Sequence, residues 1–304
     1  MKKLLVAALA AGMVSGLVAQ EAAEVEQNDS GYLLEYGVDV DVFSAYVWRN
    51  AVQFDRPVGQ ISPWVDWTVA DLFWIGGYVW QNYDLNGGRR NDGFRGEWNE
   101  TDFNIHIASQ VWTSEDEASA LKLELGNEWY YYNLHGMWAP GYSKSDDYPT
   151  TYEVYLSAEF KNPYVTPYGK ISCDYKDVSG LFAEAGLKKE STFADLTGAE
   201  ADWMSRVSVF GDFNVSFGSS RYLAYLYGEE HEGVANEPRH GIGGATLQSG
   251  LAWEVTDWLT LKGVVAFTSV LNGTCRDNVR DQVMSEYLRK TELVWGGVRA
   301  EIAF

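Results

Sequence analysis

Leu293-Val294-Trp295-Gly296-Gly297-Val298-Arg299-Ala300-Glu301-Ile302-Ala303-Phe304 closes the chain, and its two parities differ. One holds Val294, Gly296, Val298, Ala300, Ile302 and Phe304; the other holds Trp295, Gly297, Arg299, Glu301 and Ala303. A period of two is that of a β-strand, whose side chains leave alternately on opposite faces. This strand therefore has one apolar face and one face carrying both signs of charge. A second sheet or a lipid layer could cover the apolar face, and the rest of the chain decides between them.

The same alternation recurs along the chain. Leu34, Tyr36, Val38, Val40 and Val42 oppose Glu35, Asp39 and Asp41; Ile61, Pro63, Val65, Trp67 and Val69 oppose Gln60, Ser62, Asp66 and Thr68. Similar patterns occupy Phe103–Val111, Leu121–Glu128, Tyr152–Phe160, Thr166–Lys176, Leu181–Lys189, Val207–Phe217, a stretch ending at Val255, and Leu259–Thr268. In Leu72–Tyr83 the facing is ambiguous, because Trp74, Tyr78 and Trp80 suit either side. The expected fold is an all-β, transmembrane, antiparallel up-and-down β-barrel of about twelve strands. Tight connections at Ala70-Asp71, Thr113–Ala118, Lys161-Asn162-Pro163 and Thr256-Asp257 alternate with long ones at Asp84–Asn99, up to Thr150, Gly218–His240 and Ser269–Glu292. Long loops gathered at one end suit a membrane barrel, and a sandwich has no reason to sort them so. The short Asp177–Gly180 link and the longer Ser191–Asp202 turn depart from this rule. Within Ser269–Glu292, Val279, Val283 and Tyr287 recur at helical spacing, which predicts a short surface helix.

Met1-Lys2-Lys3 and the apolar run Leu4–Val18 have the form of a secretory signal peptide, with cleavage expected after Ala19. Residues 20–33 read as a flexible periplasmic tail and 34–304 as the barrel. No cysteine stands immediately after the cleavage point, which argues against lipoprotein anchoring, and no later run is apolar enough for a spanning helix. The composition agrees: 13 Trp, 19 Tyr and 30 Gly against 7 Pro suit antiparallel sheet. The formal charge of −20 argues against nucleic acid as a partner. Cys173 falls on a lipid-facing strand position and Cys275 in a long loop, so no disulfide between them is expected.

The block Phe43-Ser44-Ala45-Tyr46-Val47-Trp48-Arg49, with Pro57 and Gln60 after it, resembles outer-membrane porins that open on Ser-x-Tyr-x-aromatic-Arg-Gly. Asn50 stands where those proteins usually place Gly. The last strand likewise resembles the closing strand of bacterial outer-membrane barrels, and Val298, Ala300, Ile302 and Phe304 look like the signal such barrels present to their assembly machinery. The resemblance implies an outer-membrane location, with membrane lipid, lipopolysaccharide and the assembly machinery as partners. It brings no catalytic residues and no cofactor with it.

Asp39, Asp41, Asp66, Asp102, His106, Lys122, Glu124, Glu128, Glu153, Glu159, Lys170, Asp174, Glu254, Lys262, Arg299 and Glu301 fall on the inward parity, as do Glu184 and Lys188. They could line a water-filled conduit for small polar solutes whose acidic excess mildly favours cations, or pair across a sealed interior. The expected role is thus a passive, porin-like diffusion channel, against the alternative of a non-conducting structural or adhesion barrel that binds an external partner through its long loops. Glu229-Glu230-His231-Glu232 could hold a divalent cation but reads more simply as a solvated loop, so no metal is expected. Trp129–Tyr132 and Trp138 could stack on sugars, yet aromatics at strand ends ordinarily form the interfacial girdle. Among His106, His135, His231 and His240, none sits in a motif that fixes a catalytic partner; His106 near Asp102 comes nearest, and no enzyme activity is expected.

Overall fold

The computed structural model describes residues 32–69, 73–85, 98–132, 151–176, 178–198, 201–227, 238–281 and 290–304. The expected signal peptide, nearly all of the expected tail, the Ala70-Asp71 turn, the Glu229–Glu232 run, His135, Trp138, Val283 and Tyr287 lie outside the described residues.

The strands are β1 (Tyr32–Phe43), β2 (Tyr46–Trp48), β3 (Ala51–Phe54), β4 (Val58–Val69), β5 (Phe73–Asp84), β6 (Trp98–Thr113), β7 (Ala120–Tyr132), β8 (Thr151–Lys161), β9 (Thr166–Asp174), β10 (Leu181–Thr192), β11 (Val207–Gly218), β12 (Gly241–Thr256), β13 (Leu259–Val270) and β14 (Glu292–Ala303). The helices are α1 (Phe193–Thr197), α2 (Asp202–Ser205), α3 (Ser220–Tyr227) and α4 (Gly273–Asp281). Twelve strands form one closed antiparallel barrel, each pairing with the next in sequence and β14 returning to β1, while β2 and β3 pair only with each other. Closure leaves no sheet edge, which a hydrocarbon surround would leave without hydrogen-bond partners.

At the seam, Gly37 to Phe43 run against Ala303 to Gly297, so the closing strand is in register with the first over its charged and apolar positions alike. Val294 and Val298 stand 68% and 60% exposed on the outer face, with Leu125, Leu156, Ile171, Leu187, Leu247 and Val265 also exposed around the wall. Ile302 shares their parity but is buried, seated between Val38 and Leu259 of its two neighbours.

Two aromatic rims bound this apolar belt. Tyr36, Trp67, Trp112, Trp253, Trp258 and Phe304 are exposed near the short-turn end, and Phe103 and Tyr175 near the other. Tyr131 packs edge-on to Phe103 at 5.5 Å and lies 6.4 Å from Tyr152, which in turn lies 6.0 Å from Tyr175. An apolar band between aromatic girdles is what the two membrane interfaces require. The run at Trp129–Tyr131 therefore splits by parity, with Trp129 and Tyr131 outside and Tyr130 buried inside.

The ambiguous strand β5 turns its large aromatics inward. The Tyr78 hydroxyl donates to Glu128 at 2.7 Å, Trp80 lies 5.4 Å from Tyr46, and the Lys122 ammonium sits 4.9 Å over Trp74. Room for rings in the lumen comes partly from glycine on the facing strand. Gly126 is the register partner of Tyr155, and a Cβ there would lie 2.5 Å from that ring; Gly186 stands in the same relation to Tyr168. The Tyr155 hydroxyl accepts from Asn104 (3.1 Å) and donates to Glu124 (2.8 Å), so its position is fixed. Gly126→Val should displace the ring, break both bonds and lower the unfolding free energy by about 1–3 kcal/mol. Urea unfolding of the refolded barrel checks this: adding Tyr155→Ser should recover part of the loss, and an unchanged midpoint for Gly126→Val alone would show that the ring steps aside freely.

Two connections differ from expectation. The turn Ser191–Asp202 is long because it holds α1, whose capping box joins Thr192 and Asp195 by reciprocal bonds at 3.0 and 3.2 Å. These bonds hold the Asp195 carboxyl below its usual range. The predicted surface helix is present as α4, exposed at Asp277 and Arg280 but packed into the protein along its other face. Cys275 and Val279, four residues apart and so on one face, are buried in a cluster with Tyr222, Leu223, Leu226 and Tyr227 of α3. Burial pushes the Cys275 thiol up to about 12, which leaves it unreactive near neutral pH. Cys173 is exposed on the outer wall, and both cysteines are free.

Candidate functional site

Between β1 and β4 the chain does not simply turn; it forms the hairpin β2–β3. Trp48 pairs with Ala51, leaving Arg49 and Asn50 as a two-residue loop with φ of 52° and 65°. Two successive left-handed residues match the twist of a hairpin, and Asn is among the few side chains that accept this region readily. That is a physical reason for Asn50 at a position where the resembling porins place Gly. Asn50 also holds the loop down: its amide donates to the Gly244 carbonyl at 3.3 Å and its side-chain oxygen accepts from Thr246 at 2.5 Å.

The hairpin is folded inward. Ala45, Tyr46, Ala51 and Val52 are buried, and Arg49 reaches across the lumen. Its guanidinium donates to both oxygens of Glu153 at 2.8 and 2.6 Å, to the Tyr130 hydroxyl at 3.0 Å, and to Tyr222 of α3, whose hydroxyl itself donates to Glu153. Glu128 lies 3.7 Å away. Trp48 and Phe182 flank the cation at 4.6 and 4.4 Å. Charged hydrogen bonds on its edge and rings on its faces suit a guanidinium and would not suit an ammonium. The hairpin packs with α3 and α4 in one buried cluster at the long-loop end of the barrel.

Most of the other expected lumen residues pair below this plug. Lys170 donates to Glu128 at 3.0 and 3.1 Å, while Arg299 binds Asp41 through two bonds of 2.6 and 3.0 Å. Lys262 meets Glu301 at 2.8 Å, Lys188 meets Glu159 at 2.6 Å and Lys122 meets Glu124 at 3.0 Å. Both ring nitrogens of His106 are engaged, one by Asn104 at 2.9 Å and one by Asp66 at 3.1 Å. Two of the expected residues stand apart. Asp174 caps the tight link after β9, accepting from the backbone amides of Lys176, Val178 and Ser179 at 3.0, 3.1 and 2.9 Å. Glu254 is exposed at the short-turn rim, where the β12–β13 register slips.

A cavity of about 620 Å³ lies beneath the hairpin. Its wall includes Asp39, Asp66, Asp102 and Glu184 together with the paired Asp41, Glu128, Arg49, Lys170 and Arg299. Aromatic side chains that the alternation alone did not single out, among them Trp64, Tyr78, Trp80 and Phe182, also line it. Among the described residues, no group of three or more His, Cys, Asp or Glu is arranged to hold a metal ion.

No protein-family model matches the sequence, and no curated protein matches it at a significant level. Among solved structures, the COG4313 outer membrane channel from Pseudomonas putida F1 is similar at 9% identity, over 93% of this chain and 99% of that one, with a TM-score of 0.47. LpxR from Salmonella typhimurium is similar at 10% identity over 88% and 99%, with a TM-score of 0.43. Pseudomonas putida OprB is similar at 12% identity over 81% of this chain and 59% of that one, with a TM-score of 0.35, so the present chain spans under two thirds of OprB. The placement of this protein rests on its own wall: a closed antiparallel sheet with an apolar, aromatic-rimmed exterior and a charged interior is an outer-membrane β-barrel.

Proposed function

We propose that this barrel is a channel for small polar solutes, preferring cations, and that the hairpin β2–β3 is the element that closes it. The observation carrying this reading is the gradient of solvent access along the lumen. Side chains of Lys188, Lys122 and Arg299 toward the short-turn end are 44, 38 and 37% exposed; Arg49 and Glu128 fall to 7%, and Glu153 to zero. A hydrated, charged vestibule therefore runs up to the hairpin and stops there. In the cavity wall six carboxylates face three fixed cations, an imbalance that attracts cations and repels anions. Of the lumen residues, those whose charges border this vestibule set the selectivity, whereas Asp174 serves the turn it caps. On this reading the outer wall meets membrane lipid and lipopolysaccharide, and Phe304 with Val298, Ala300 and Ile302 addresses the assembly machinery.

Planar-bilayer recording tests the proposal. The intact barrel should give small, infrequent steps. A variant in which residues 45–56 are replaced by a short Gly-Ser link should give larger, long-lived steps whose reversal potential in a salt gradient favours cations. A deleted barrel that stays folded, as judged by its heat-dependent electrophoretic shift, yet carries no current would overturn the channel reading in favour of a structural role.

A further inference from the structure

We propose that the lumen cavity is a binding site for a small organic cation, an alkylammonium or guanidinium compound, seated against Asp102 and the rings of Tyr46 and Trp80. The inference names a substrate class for the proposed channel and rests on that reading for its physiological meaning, though not for its test.

Four carboxylates are buried together at the upper end of the cavity: Glu100, Asp102, Glu128 and Glu153 are 3, 8, 6 and 0% exposed. Arg49 is committed to Glu153 and Lys170 to Glu128. The Tyr46 hydroxyl bonds to Glu100. Of Glu100 and Asp102, it is Asp102 that lines the cavity, and its Oδ1 is buried there without a hydrogen-bond partner. A buried carboxylate oxygen without a partner is costly, so its persistence at a cavity wall points to something that occupies the cavity.

The surroundings specify the chemistry of that occupant. Asp102 is the register partner of Trp80 on one side and of Tyr130 on the other. The Trp80 and Tyr46 rings lie 5.4 Å apart, and both border the cavity. Just above, Trp48 and Tyr130 already receive one organic cation, the Arg49 guanidinium, at 4.6 and 5.8 Å. The same combination of ring faces and a carboxylate is repeated at Asp102 without an internal cation to fill it. Aromatic walls suit a weakly hydrated organic cation by cation–π attraction, whereas a hard metal ion demands several oxygen ligands. The volume of about 620 Å³ lies within the range of small-molecule sites.

The test is a titration of the full-length barrel in detergent micelles with choline chloride at constant ionic strength, read by tryptophan fluorescence and by calorimetry. The control is choline's uncharged isostere, in which carbon replaces the quaternary nitrogen. Choline should bind saturably and the isostere should not. Asp102→Asn and Trp80→Leu, both confirmed folded by the heat-dependent shift, should each weaken binding at least tenfold. An equal response to the isostere, no saturable response to choline, or full affinity in Asp102→Asn would each overturn the site. Because no current is measured, loss of the site would leave the hairpin-deletion conductance, and hence the channel, standing on its own result.

Discussion

Arg49→Met should open the barrel. The substitution keeps an unbranched apolar stem between Trp48 and Phe182 but leaves Glu153 buried without its counter-charge. Breaking one partner of a buried pair costs about 3–5 kcal/mol. If that cost falls on the docked state, the ratio of docked to undocked hairpin drops by roughly a hundredfold or more. Bilayer recordings should show frequent openings, and limited proteolysis should cut the hairpin in the folded barrel. Arg49→Lys should be intermediate, because an ammonium keeps the charge and loses both the paired bonds to Glu153 and the flat contact with the rings. Combining Arg49→Met with Glu153→Leu should close the barrel again, since an apolar pair replaces an ionic one with little penalty. If Arg49→Met is as silent and as protease-resistant as the intact protein, the apolar cluster around α3 and α4 holds the plug without the ion pair.

Removal of Phe304 should cut the yield of folded barrel in the membrane severalfold. Its amide donates to the Tyr36 carbonyl at 2.8 Å and its carbonyl accepts from the Tyr36 amide at 3.1 Å, a reciprocal pair at the very end of the seam. Its ring lies 5.7 Å from Tyr36 and stacks at 6.3 Å on Trp258. One terminal residue thus ties β1 to β14 and reaches the β12–β13 turn. Phe304→Ala keeps the backbone pair and loses the rings, so it should fall between the intact and truncated chains. The heat-shifted band in outer-membrane fractions, compared with refolding into micelles, separates two causes. A deficit only in cells assigns Phe304 to the assembly machinery, a deficit in both assigns it to the seam, and normal yields in both would sink each role.

The barrel was legible because its wall obeys one rule: the outer face meets hydrocarbon and the inner face does not, so polarity alternates along strands such as β1, β8, β13 and β14. That rule fails where the lumen holds rings. Trp74, Tyr78 and Trp80 gave no direction, because their inward placement depends on space and partners supplied by other strands, and the pairing of Gly126 with Tyr155 is a property of register that no single segment displays. The plug was hidden for a related reason. Tyr46–Trp48 and Ala51–Phe54 are too short to show a period, and the evidence for their burial lies in partners far along the chain. Helix α3 did leave a trace: Tyr222, Leu223, Leu226 and Tyr227 repeat at one-, three- and four-residue steps within Gly218–His240, a stretch that otherwise reads as a long loop. Arg49 stands in the block that carries the porin resemblance, and nothing in its local sequence shows that its charge is buried.

Arg49 and its partners also impose an order on the making of the molecule. The hairpin belongs to the first connection after β1, yet it docks on Glu153, 104 residues later, and on Tyr222, 173 residues later. Contacts of such sequence separation form late, after the chain between them has paid its loop-closure entropy. The partners converge only once β7 to β11 have curved toward β1, so the lock cannot engage on an open sheet. A nascent barrel is accordingly unlocked until β7 to β11 are in place, and the seating of Arg49 marks their arrival opposite β1.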